Sequence, residues 1–262
     1  MEIEDTGLVP EVYDVLPDRL IAMEFIAGST IDSGVGSAEE LQHVSHQLGQ
    51  AAARLVSTPL PTNEEGYNSD RDWSLFPWDS DLRSAIGFYI DEGRRIQKSV
   101  PNYNNAFISE SLCLIESQVE SVDRYPRVLF HEDFSNFHVH EGRLAGLFDL
   151  EMCRSGTELM QVNMLLGLER AGLDRDSMKQ GYVDVMGPRP CLDDTLGLIA
   201  MDHLARHIRV CRYGRWDGSA ESIVHSEHYV STHGPPMRRL VMDHAHEIDL
   251  QQWFPSLCQE SG

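Results

Sequence analysis

The segment YPRVLFHEDFSNFHVHEGRLAGLFDLE, residues 125–151, constrains the chain more than any other stretch. It opens as a short apolar strand and passes through a polar loop carrying His131, Glu132, Asp133 and Asn136. It then continues as two apolar runs that pivot on Glu141-Gly142. Apolar runs joined by a short glycine-containing turn signal a β-hairpin. A hairpin returns its ends to one edge, so Asp133 before it and Asp149 after it can converge. Of two close carboxylates, one can orient or deprotonate a hydroxyl while the other holds a divalent cation through hard oxygen atoms. That division of labour suits phosphoryl transfer, in which catalysis is chiefly positioning plus neutralisation of charge by Mg²⁺.

Elsewhere the pattern alternates short strands with long helices. LVPEVYDV at 8–15 and RLIAMEFI at 19–26 read as two adjacent strands joined by a turn. The glycine- and serine-rich AGSTIDSGVGS at 27–37 reads as a hinge. Ser37 and Glu40 have capping-box spacing, and Leu41, Val44, Leu48, Ala51 and Leu55 repeat at steps of three and four, which predicts an amphipathic helix over 38–56. Residues 57–79 read as a packed loop. Further helices are expected near 80–98, 105–123, 157–171, 175–186, 192–212 and 236–251, with a long loop at 214–235.

Composition excludes several classes. The 262 residues carry 42 acidic and 21 basic side chains, a net charge of −21, which repels nucleic acid and anionic membranes and favours a cationic small-molecule partner. No apolar run approaches the roughly 20 residues that span a bilayer, and the N-terminus resembles no signal peptide, so a cytoplasmic location is expected. The five cysteines never form CxxC and read as reduced thiols, without a disulfide framework or zinc knuckle. Lysine is restricted to Lys98 and Lys179.

The loop and hairpin resemble the catalytic loop and metal-binding segment of the aminoglycoside phosphotransferase family, in which the loop reads HGDxxxxN and the later segment IDWE. The resemblance implies an α+β, protein-kinase-like fold: a mainly helical C-lobe over 28–262 with a short hairpin, and an N-lobe over 1–27 reduced to about two strands and the hinge. The catalytic loop would be 131–138 and the metal segment 146–151. It makes Asp133 the catalytic aspartate and His131 a loop-supporting residue. Asp149 becomes the Mg²⁺ ligand, with Glu151 two positions beyond it and His138 at the offset where the family has a metal-coordinating asparagine. Asn136 lies two residues short of that offset, and Gln161 stands where the family has an aspartate that braces the loop. RLIAMEFIAGSTIDS is similar to the last N-lobe strand and hinge, which places Glu24, Phe25 and Ile26 where backbone groups meet the adenine of ATP, or the base of GTP. The implied reaction is phosphorylation of a small-molecule hydroxyl, on an aminoglycoside-like or other metabolite.

Two other readings follow from the same residues. The family's glycine-rich turn and strand lysine are missing from the residues ahead of the hinge, which is expected of a catalytically degenerate pseudokinase or fragment serving as a binding module. His203 and His207, four apart on one helix, have metal-ligand spacing, as a histidine-based hydrolase would require, but lack the glutamate of HExxH. Asp174, Asp176, Asp193, Asp194 and Asp202 could face a cationic acceptor, or simply cap helices.

Overall fold

The computed structural model describes residues 12–16, 20–23, 25–30, 37–59, 82–99, 105–150 and 153–213. The expected helix at 236–251, the loop at 214–235 and most of the loop at 57–79 lie outside them. The chain divides into two compact units, Met1–Asp72 with Pro126–Leu192, and Trp73–Tyr125 with Asp193–Gly262.

The first unit holds every strand among the described residues. β1 (Val12–Leu16) and β2 (Leu20–Met23) pair antiparallel, as the two apolar runs imply. α1 (Ala38–Ser57) begins with the capping box: the Glu40 amide donates to the Ser37 hydroxyl, and the Ser37 amide to the Glu40 carboxylate at 2.7 Å. Val44, Leu48, Ala51, Ala52 and Leu55 are buried, so the helical period of the sequence is the packed face.

β3 (Arg127–His131) leads into the polar loop, and β4 (Phe137–His140) with β5 (Arg143–Leu147) forms the hairpin. Its turn has φ of 50° at Glu141 and 70° at Gly142, the two left-handed positions of the tight turn that matches strand twist. β6 (Cys153–Thr157) pairs along the whole of β3. The sequence does not announce β6, because CRSGT has no apolar alternation. Its place is fixed sterically: a Cβ at Gly156 would lie 2.6 Å from the Phe130 ring on the paired strand.

α4 (Glu158–Gly167) follows directly, then a 3₁₀ turn at Leu168–Ala171 and α5 (Arg175–Met186). The α5 N-cap is Asp174, whose carboxylate accepts from the Ser177 amide at 2.8 Å, so this aspartate is a cap. α1 and α5 cross with their backbones in contact. A Cβ at Gly181 would collide with the His46 carbonyl, and one at Gly49 with the Met178 carbonyl. Gly181→Ala adds helix propensity worth about 1 kcal/mol. The obstacle, however, is backbone that no rotamer change can move, so strain wins, with a net loss of about 1–2 kcal/mol. The expected reading is a lower urea midpoint at unchanged slope.

The second unit is helical in its described part: α2 (Leu82–Ser99), α3 (Asn105–Asp123) and α6 (Thr195–Tyr213). Ile86, Ile90, Leu112, Ile115, Ile199 and Leu204 are buried in it. His203 is buried and shares a 2.8 Å hydrogen bond with the Ser111 hydroxyl, which assigns it to the core, while the side chain of His207 is not described. Asp194 accepts from the Tyr125 hydroxyl at 2.6 Å and from the Gly197 amide at 3.0 Å. Burial, and next to it the Asp194 bond, push the Tyr125 phenol up to about 12. Among the described residues no helix is long and apolar enough to cross a membrane.

Candidate active site

β3 delivers His131 into the interior, fully enclosed, at the point where the strand becomes the polar loop. Phe134, also buried, pins the middle of the loop, leaving Asp133, Ser135 and Asn136 partly or wholly accessible. The loop is short enough to close on itself: the Asn136 amide donates to the Asp133 carbonyl at 3.1 Å.

His131 joins the loop to the segment ahead of Asp149. Its Nδ1 accepts from the Asp133 amide at 3.1 Å, and its Nε2 lies 2.8 Å from the Phe148 carbonyl. These partners require Nε2 to carry the proton and Nδ1 to be bare, so one neutral tautomer satisfies both. The His131 amide in turn donates to Gln161 Oε1 on α4 at 2.8 Å, a bond made in a fully buried setting. A glutamine thus braces the loop from the position where the sequence pattern expects an aspartate.

Asn136 makes the second link. Its carbonyl accepts from the Phe148 amide at 2.9 Å, and its Nδ2 donates to Asp149 Oδ2 at 2.7 Å. Asp149 is exposed and has φ of 57°, a left-handed conformation that aspartate adopts more readily than most non-glycine residues. The Asp133 carboxylate takes a 2.6 Å bond from the Ser135 hydroxyl.

His138 lies elsewhere. It sits on β4 opposite Gly146, and its ring lies against that of Phe148, with centroids 4.3 Å apart and planes at 50°. Five residues on from Asp133, His138 packs on the Phe148 ring; three residues on, Asn136 reaches Asp149. The signal was present, since Asn136 is the one asparagine of the segment, but the count assumed a longer loop.

The glycine- and serine-containing hinge segment is tied to the same hairpin. Ser29 and Val139 exchange both backbone hydrogen bonds, at 3.1 and 2.9 Å. Gly28 has φ of 131°, and a Cβ there would lie 2.6 Å from the Val139 carbonyl oxygen, so glycine is what lets the two backbones meet. Of the residues expected to meet the nucleobase, Phe25 is 90% exposed and Ile26 half-buried. Glu24 and Glu151 lie outside the described residues.

The side chains beside one another at this edge, the Asp149 carboxylate and the Asn136 amide, offer hard oxygen donors. They fit a small hard cation such as Mg²⁺, which takes one or two protein carboxylates and fills its shell with water and phosphate oxygens. Among the described residues no group of three or more His, Cys, Asp or Glu could hold a metal ion.

A strand-borne aspartate loop joined through a hairpin to a second aspartate and followed by helices is an arrangement that a phosphotransferase of the kinase-like fold requires. The model of the phosphotransferase enzyme family (APH) matches residues 3–182, and the chain belongs to that family. Solved structures agree on the fold. The aminoglycoside phosphotransferase APH(2″)-IIa, in its gentamicin complex, superposes with a TM-score of 0.59 at 14% identity, covering 85% of this chain and 73% of that one. A thermostable mutant of APH(4)-Ia gives 0.56 at 18% identity, with 87% and 78% covered. An ethanolamine kinase of Plasmodium vivax gives 0.54 at 14% identity, with 91% and 71% covered. No curated protein matches the chain by sequence.

Proposed function

We propose that the protein transfers the γ-phosphoryl group of a nucleoside triphosphate, ATP or GTP, to a hydroxyl of a small cationic acceptor. The observation that carries this reading is the tie between the two carboxylate stations. His131 bonds both the Asp133 amide and the Phe148 carbonyl, and Asn136 bonds Asp149. Asp133 would accept a hydrogen bond from the attacking hydroxyl, orient its oxygen and receive its proton as transfer proceeds. Asp149, with Asn136 and Glu151, would hold Mg²⁺, which when bound neutralises charge on the phosphates. The hinge backbone at Glu24, Phe25 and Ile26 would receive the nucleobase.

The acceptor class rests on charge and on similarity. A chain of net charge −21 concentrates cations at its surface. Two of the similar structures are named for amine-bearing acceptors, gentamicin and ethanolamine. An amino alcohol or an aminoglycoside-like molecule is the acceptor we expect, with a cytoplasmic site of action.

Thermal unfolding with added nucleotide tests the reading. Mg·ATP or Mg·GTP at 100 times its dissociation constant stabilises the native state by about 2.7 kcal/mol, which raises the melting temperature by several degrees. EDTA should remove most of that rise. An unchanged melting temperature with millimolar Mg·ATP and Mg·GTP contradicts the proposal.

A further inference from the structure

We propose that His138 is a positioning residue for Asp149, acting through the ring of Phe148, and is not itself a cation ligand; the inference rests on the phosphotransferase reading above. Asp149 has a left-handed φ of 57°, and the peptide that precedes it helps to set where its carboxylate points. Three contacts converge on Phe148. Its amide donates to the Asn136 carbonyl at 2.9 Å, and its carbonyl accepts from His131 Nε2 at 2.8 Å. Its ring lies 4.3 Å from that of His138. The first two fix the peptide, and the third fixes the side chain that would otherwise swing and carry the backbone with it.

His138 is well placed to be the fixed partner. It is paired across the hairpin with Gly146, and its neighbour Val139 is bonded on both backbone groups to Ser29. On its other side, the position a Cβ would take at Gly28 is 3.3 Å from the His138 Cβ, so the hinge segment closes over it. The ring's Nδ1 is enclosed by protein and has no hydrogen-bond partner. That nitrogen takes no part in the hydrogen bonds that join Asn136, Phe148 and Asp149, and imidazole is a poor ligand for Mg²⁺. What the ring supplies is an aromatic face.

The discriminating variant is His138→Phe, which keeps the face and removes both nitrogens, compared with His138→Ala, which removes both. Two measurements are made: the melting temperature of the ligand-free protein, and the affinity for ATP by calorimetry across a Mg²⁺ series. His138→Phe should melt at or above the wild-type temperature, because an enclosed unpaired nitrogen is removed. It should also restore the wild-type Mg²⁺ requirement to within about threefold. His138→Ala should raise the half-saturating Mg²⁺ concentration by about tenfold or more, the usual scale for losing a residue that orients a metal ligand, while ATP binding in EDTA is unchanged. Should the alanine variant fail to fold, His138→Leu, which fills the space without an aromatic face, takes its place with the same expectation. Equal losses in the Phe and Ala variants would overturn the inference in favour of a liganding nitrogen, and a wild-type Mg²⁺ requirement in the Ala variant would overturn it outright. In both cases nucleotide binding by the wild type leaves the proposed function standing. Absence of Mg-dependent binding in the wild type itself would remove both.

Discussion

Asp133→Asn is expected to lose phosphoryl transfer by about 10²–10⁴-fold while the protein stays folded and still binds nucleotide. The structure separates the two effects. What Asp133 contributes to the loop is backbone: its amide bonds His131 Nδ1 and its carbonyl accepts from Asn136. Its carboxylate bonds the Ser135 hydroxyl through Oδ1, an acceptor that asparagine retains. The substitution therefore preserves the turn and removes the negative charge that would take a proton from the acceptor hydroxyl. The loss should fall on kcat and not on the nucleotide KM, since an interaction made only as the hydroxyl attacks leaves ground-state binding unchanged. A fall in melting temperature of many degrees would show instead that Asp133 is a structural residue.

The largest effect on stability is expected at Glu158. This glutamate opens α4 with its side chain 3% exposed, and its Oε1 accepts from the Tyr182 hydroxyl at 2.9 Å and from Arg189 Nε at 2.7 Å. Burial, reinforced by the nearby glutamate, pushes the Tyr182 phenol well above its ordinary range and the Cys191 thiol up to about 12, so both stay protonated donors. Glu158→Ala would leave the Tyr182 hydroxyl, in a fully buried residue, without its acceptor, and Arg189 without its counter-charge. Removing one partner of a buried pair costs about 3–5 kcal/mol, and Arg189, whose side chain is 32% exposed, can recover part of that by hydration. A net loss of about 3 kcal/mol follows, readable as a lower urea midpoint. Because α4 also carries Gln161, the brace of the His131 amide, the same variant should loosen the catalytic loop. Glu158→Gln, which keeps an acceptor oxygen, should lose less.

Much of this architecture was legible in the residues. α1 begins at its capping box, α3 and α5 occupy the ranges their periodicity marks, and Glu141-Gly142 makes the hairpin turn. These features are local, each specified by a cap, a period or a two-residue turn. β6 was not legible, because it is a strand only by virtue of pairing with β3 and the room Gly156 leaves for Phe130. The helix expected from 157 starts one residue later, at Glu158, directly after β6. Tertiary pairing overrode a segment with no strand signal of its own.

At the site, the sequence singled out Asp133, Asp149 and His131, and the structure joins the segments that carry them, but the residues alone could not give the loop its length in space. An offset borrowed from a related pattern pointed to His138, whereas the hydrogen bond to Asp149 comes from Asn136. Similarly, Gln161 reads on paper as a lost carboxylate. In the structure its Oε1 supplies the one acceptor that holds the His131 amide, while its Nε2 is buried without a hydrogen-bond partner.

The most direct measurement is transfer of label from γ-labelled ATP or GTP, with Mg²⁺, to a panel of hydroxylated amines, comparing the wild-type protein with Asp133→Asn. The wild type should label at least one acceptor, Asp133→Asn should fall by about 10² or more, and both should bind nucleotide alike. Labelling of equal rate in the two proteins, or none in the wild type with nucleotide demonstrably bound, would contradict an active phosphotransferase centred on Asp133.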